Sequence, residues 1–156
     1  MAYNLNNKLV IAISSRALFD LEEENQIFEK DGLDAYYKYQ LENEDKSLKK
    51  GTGYRLVENI LKINSFFSSD ERQVEVIILS KNNAATSLRI TNAINDLKLD
   101  IIRSAWTSGT NISNYLKAFK VDLFLSADDN DVLNAIENGV AAAKILPSNE
   151  NIHNIS

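Results

Sequence analysis

Lys8-Leu9-Val10-Ile11-Ala12-Ile13-Ser14-Ser15-Arg16-Ala17-Leu18-Phe19-Asp20 changes character twice. It begins as a short apolar run of the kind buried on both faces of a parallel sheet. It then exits through two hydroxyl residues. An arginine and an aspartate follow, just ahead of the acidic helix start Leu21-Glu22-Glu23-Glu24-Asn25. In open α/β sheets, strand ends of this kind are where ligands settle.

Four more runs of similar character lie downstream: Val74–Leu79, Asp100–Trp106, Val121–Leu125 and Val140–Leu146. Helical patterns fill the intervals. Across Ala85–Leu97 the residues Leu88, Ile90, Ala93, Ile94 and Leu97 recur near the helical period. Ile112–Phe119 makes a shorter helix, and Asp129–Asn138 closes on Gly139, the residue type favoured just past a helix end. Strands alternating with helices imply right-handed crossovers. The expected fold is therefore an α/β three-layer sandwich around a mostly parallel five-stranded sheet, Rossmann-like in outline.

The first interval, residues 14–73, is far longer than the others. It holds Leu21–Lys30, Leu33–Asn43 and Tyr54–Phe67 as expected helices, with a Lys/Gly-rich loop at Asp45–Gly53. A single crossover needs only one helix. The excess, about residues 21–52, reads as a helical cap inserted over the C-terminal edge of the sheet. A decorated crossover that only packs is the plainer alternative. Residues 1–147 then form one α/β domain, and 148–156, after the lone Pro147, read as a flexible tail or linker.

Composition narrows the chemistry. The chain has 156 residues, a formal net charge of -5 and no cysteine. An acidic protein is not a general nucleic-acid binder. Without cysteine, thiolate metal sites and cysteine nucleophiles are excluded. The one histidine, His153, lies in the polar tail, so histidine-based triads are excluded too. The N-terminal apolar run is too short for a signal h-region or a membrane span, which makes the cytoplasm the expected location.

The strand ends collect the remaining candidates. After the first come Ser14, Ser15 and Arg16; after the second, Ser80, Lys81, Asn82 and Asn83. After the third come Thr107, Ser108, Gly109 and Thr110. Lys117 precedes the fourth, and Ser126, Ala127, Asp128, Asp129, Asn130 and Asp131 follow it. Each also has a local structural reading. Ser80 or Asn83 can cap the next helix. Asp128 and Asp129 can cap and complement another, as Glu22–Glu24 can for theirs. Lys117 can be a solvated helix lysine. The ordered set of hydroxyl, lysine and paired acids is more specific than any member alone.

That order resembles the second, third and fourth motifs of the haloacid dehalogenase-like phosphatases. The resemblance implies Ser80 and Lys117 on the phosphoryl oxygens, Asn82 and Arg16 as nearby donors, and Asp128 and Asp129 on Mg2+. Phosphoryl transfer asks mainly for positioning and charge stabilisation, which such groups supply. The first motif departs from the pattern. Where the superfamily sets an aspartate nucleophile and a second acid two residues on, this chain has Ile13 or Ser14, then Ser15 or Arg16. No catalytic residue is assigned.

A longer resemblance runs through Ser14–Asn25, Gly32–Asp45, Val74–Asn82, Leu116-Lys117-Ala118-Phe119 and Val121–Asp129. Those stretches are similar to the cytosolic 5'-nucleotidase family of the same superfamily. Its members look like two related halves with an Asp-Gly-Asp signature in the second, and this chain resembles the first. The resemblance implies Mg2+-dependent hydrolysis of nucleoside 5'-monophosphates of the AMP or IMP class; charge and the short apolar run lead to the expectation of no nucleic-acid or membrane partner. The missing strand-tip acid keeps another expectation open. On that expectation the chain is a catalytically dead half-domain that binds nucleotide or protein; a further expectation is a chain that works only as a homo-oligomer or with a separate second half.

Overall fold

In the computed structural model, residues 5–146 are described. Met1 to Asn4, Pro147, the expected tail 148–156 and His153 lie outside them. The chain runs β1 (Leu9–Ile13), α1 (Ser15–Leu18), β2 (Phe19–Asp20), α2 (Glu22–Asp31), α3 (Leu33–Glu42), β3 (Lys49–Lys50) and α4 (Tyr54–Lys62). It continues through β4 (Val74–Ser80), α5 (Ala84–Asp96), β5 (Arg103–Trp106), α6 (Ser113–Ala118), β6 (Leu123–Ser126), α7 (Asp129–Glu137) and β7 (Ala141–Lys144).

β1 and its neighbour β4 bury both faces along most of their length, and β1 lies at the centre of the sheet. Successive side chains of a strand point to opposite faces. Ile11 and Ile13 join one buried cluster with Val76 and Ile78 of β4 and Val57, Ile90 and Ile94 of the helices on that side. Val10 and Ala12 join the other, with Ile77, Leu79, Leu116, Phe124 and Ala135. The five-stranded sheet has the order β5-β4-β1-β6-β7. All four strand pairings are parallel. Helices cover both faces, so the three-layer α/β sandwich is the fold.

The expected strand and helix positions hold within a few residues, and the departures have physical causes. β5 begins later than the apolar run Asp100–Trp106 because it pairs only with Ile77–Ser80, the far half of β4. Helix α4 stops at Lys62, and a 3-10 turn carries Ile63–Phe66. There Asn64 turns its side chain to the backbone: Nδ2 donates to the Val74 carbonyl, and Oδ1 accepts from the Gln73 and Val74 amides.

The long excursion after β1 leaves and returns through one small ladder. Phe19 pairs with Lys50 and Asp20 with Lys49, antiparallel. Neither this ladder nor the short helix α1 was marked by periodicity, since elements of two and four residues hold no full period. Gly51 and Gly53 let the returning strand press onto the outgoing one. A Cβ at Gly51 would lie 2.7 Å from the Phe19 carbonyl carbon, and one at Gly53 would lie 2.6 Å from the Ala17 oxygen. Between exit and return, α2 and α3 form a helical hairpin that walls one side of the sheet's C-terminal edge.

Candidate phosphate site at the rim of the sheet

A cavity of about 480 Å³ opens where the C-terminal ends of β1, β4 and β6 face the α2–α3 hairpin. That volume is in the range of small-molecule sites. Its floor is polar, with Ser14, Ser15, Ser80, Asn82, Ser126 and Asp128 among the lining residues. Leu21, Phe28, Leu33 and Tyr36 give the hairpin side an apolar wall.

The floor is a closed hydroxyl cluster. Ser15 and Ser80 lie nearly fully buried, with their Oγ atoms 2.9 Å apart. Both hydroxyls reach Asn82 Oδ1, from Ser80 at 2.7 Å and from Ser15 at 2.9 Å. The Asn82 amide donates in turn to the Tyr36 hydroxyl at 2.9 Å, which also accepts from Gln40 Nε2 at 3.1 Å. Burial pushes the Tyr36 phenol above its ordinary pKa, partly offset by its Gln40 and Asn82 hydrogen bonds, so it stays neutral. Ser14, at the very tip of β1, caps α1 by accepting from the Ala17 amide. No carboxylate occupies that tip.

The charged groups are arranged differently from the order expected of them. Arg16 lines the cavity, but its guanidinium is forked onto Glu22, with Nε at 2.8 Å and Nη2 at 3.2 Å. Lys117 does not line the cavity; it is exposed in the last turn of α6. The cause is direction. Helix α6 runs back across the sheet, so its C-terminal end meets the opposite edge, where Lys120 reaches Asn6 and the Asp122 amide donates to Val10. The second cation lining the cavity is Lys81, whose Nζ lies 2.6 Å from Asp131 Oδ1.

Among the acids, Asp128 lines the cavity and caps α7 by accepting from the Asp131 amide at 2.9 Å. Asp129 faces away. Its side chain is 71% exposed and pairs with Lys144. Helix geometry explains the split. Residues three apart share a face, while the next residue is turned by about 100°. Asp128 and Asp131 therefore look inward, and Asp129 looks out. Burial pushes the Asp131 carboxyl above the ordinary aspartate value; Lys81 pulls it partly back, and Asp128 adds to the rise.

The superfamily resemblance implies Lys117 and Asp129 for these tasks. Lys81 and Asp131 were present in the same strand-end clusters but carried no assigned role. The three-residue spacing from Asp128 was the available signal for Asp131. Lys81 had no such mark beyond following Ser80.

This donor set does not fit Mg2+. The ion takes several oxygen ligands in near-octahedral array. Among the described residues no three acidic or histidine side chains converge. Of the three acids lining the cavity, Asp128 is engaged as a cap, Asp131 already holds an ammonium and Glu24 is paired with Arg89. A divalent ion about 4 Å from that ammonium would be repelled by roughly 8 kcal/mol at an effective dielectric constant near 20.

The architecture is that of the haloacid dehalogenase-like α/β proteins. The HAD domain of the effector protein Lem4 from Legionella pneumophila superposes with a TM-score of 0.52. The match covers 91% of this chain and 88% of that one at 14% sequence identity, a likeness of fold. A sequence profile of the 5'-nucleotidase family matches residues 1–155. Human cytosolic 5'-nucleotidase 1B is 33% identical over 144 residues, or 90% of this chain. The chain belongs to the 5'-nucleotidase family. It spans 24% of the length of that human relative.

Proposed function

We propose that this chain recognises nucleoside 5'-monophosphates and serves their hydrolysis to nucleoside and phosphate. One observation carries the reading: a single cavity joins a hydroxyl-and-ammonium floor to an aromatic wall. A phosphate monoester is doubly charged near neutral pH and seeks charged and hydroxyl donors. A nucleoside is flat and partly apolar. Phe28 and Tyr36, packed edge to face with centroids 5.8 Å apart, offer it a stacking surface. Phe28 is 47% exposed and Leu33 58%, so that wall is open to a ligand.

Ser80, Ser15 and Asn82 are assigned to the phosphate, with Arg16 at its edge. Turnover needs a nucleophile, and a serine without a neighbouring base is a weak one. Among the described residues, neither Ser14 nor Ser15 has a base within its hydrogen bonds. The Mg2+ that family membership implies would need acids beyond those this cavity presents. This chain's own contribution is therefore recognition, with weak or no turnover by itself. No helix among the described residues is long and apolar enough to cross a membrane. The human relative is named cytosolic, and the cytoplasm is the assigned location.

The test is to titrate the purified chain with AMP, IMP, adenosine and inorganic phosphate, reading thermal stability and phosphate release. Ligands that bind only the native state raise its melting temperature. The monophosphates are expected to stabilise more than either part alone, with phosphate release near background. No stabilisation by any monophosphate would overturn the reading. Rapid release from the wild type, abolished in Asp128→Asn, would instead make the chain a working phosphatase.

A further inference from the structure

We propose that the Lys81 ammonium, anchored on buried Asp131, is the cation that receives the phosphate in this cavity, so that nucleotide binding here needs no divalent metal. The inference rests on the functional reading above and goes beyond it by naming the cation. The starting point is the placement of charge. Asp131 is buried at the cavity wall, with its side chain only 8% exposed, whereas the Lys81 side chain is 41% exposed. Both line the cavity, and the cation is the solvent-exposed member of the pair.

The Lys81–Asp131 contact is short but incomplete. At 2.6 Å it is an ion pair, yet Asp131 Oδ1 has no well-directed hydrogen bond among the described residues. An ammonium has three donors. Lys81 therefore holds the carboxylate while keeping donors for an anion at the mouth. Without it, Asp128 and Asp131 would present two negative charges to an incoming phosphate and repel it. Lys81 follows Ser80 directly, so the hydroxyl and the ammonium enter the cavity from one strand end.

The chemistry also separates this arrangement from a metal site. A metal ion bridges carboxylates to phosphate and binds before or with it. An ammonium tethered to the chain is always present and has no solution concentration on which binding can depend. Nucleotide affinity should then be indifferent to chelators.

Calorimetric titration of the full chain with AMP, in EDTA and in millimolar Mg2+, provides the test. The expected result is equal affinity in both buffers within about twofold, with no heat from Mg2+ alone. Lys81→Met should weaken AMP binding by about tenfold or more, as loss of a charge-assisted contact does. Lys117→Ala should leave it unchanged. Asp131→Asn, which keeps shape and releases the ammonium, should retain or strengthen binding and covers the case in which Lys81→Met fails to fold. AMP binding seen only with Mg2+ would overturn this inference and leave the functional proposal standing. Absence of AMP binding in both buffers would overturn both.

Discussion

Two acids occupy the same local position, the third residue of a helix, yet serve opposite ends. Glu24 in α2 and Asp131 in α7 are both buried and both meet a basic side chain. Arg89 is as buried as its partner, at 7% against 6% side-chain exposure. Its guanidinium also donates to Gln40 Oε1 and to the Lys46 carbonyl, so one residue ties α2, α3 and the loop after α3 to α5. Lys81 is part-exposed, and no further hydrogen bond from it is seen among the described residues. Saturated pairs hold structure together, whereas a pair with an exposed and under-used cation is available to a ligand.

The contrast can be broken at either end. Arg89→Met should have the largest effect on stability. It leaves Glu24 buried and unpaired, which costs on the order of 3–5 kcal/mol. Denaturant unfolding would show it, and the double variant Arg89→Met/Glu24→Leu should recover most of the loss. A loss below about 1 kcal/mol in the single variant would mean that the pair is not the tether described.

Lys81→Met should cost less, roughly 1–2 kcal/mol at neutral pH, because the lysine is partly solvated and Asp131 can take up a proton. The pH dependence gives the sign. Burial already raises the Asp131 pKa in the native state. A raised acid favours folding at low pH, and this contribution is lost as pH rises through the aspartate range. Removing the ammonium raises that pKa further. The gap in melting temperature between wild type and variant should widen from mildly acid to neutral pH, and a constant gap would count against the ion pair.

Ser80→Ala should follow at about 1 kcal/mol, the usual scale of a buried neutral hydrogen bond. It should also weaken AMP binding, because Ser15 and Asn82 lose their common partner. The smallest effects belong to Lys117→Ala and Asp129→Asn. Both side chains lie outside the cavity, so stability should stay within about 0.5 kcal/mol and AMP affinity should not move. A clear loss of affinity in either would place the phosphate elsewhere.

These variants also mark where reading residues in order stops being enough. Val10–Ile13 and Val76–Leu79 are apolar on every position, a pattern that only a strand covered on both faces can satisfy, so the parallel sheet was legible. Ser80 and Asn82 were legible as well, because strand ends in such sheets point into one crevice. Lys117 was not, since its distance along the chain says nothing about the direction in which a short helix returns. Asp129 and Asp131 differ only by helical phase, which depends on where α7 begins; the cap at Asp128 sets that start.

Alternation of hydrophobic runs determined the layers and the edge at which polar residues gather. Those follow from local periodicity and from the cost of exposing apolar surface, both written in neighbouring residues. Folding alone decided which lysine meets which acid, that Asn82 and Tyr36 join floor to wall, and that Arg89 belongs to structure. Such choices depend on distances and burial between segments far apart in the chain. Electrostatics at a few ångströms is set by that proximity and desolvation, and a linear order of residues carries neither.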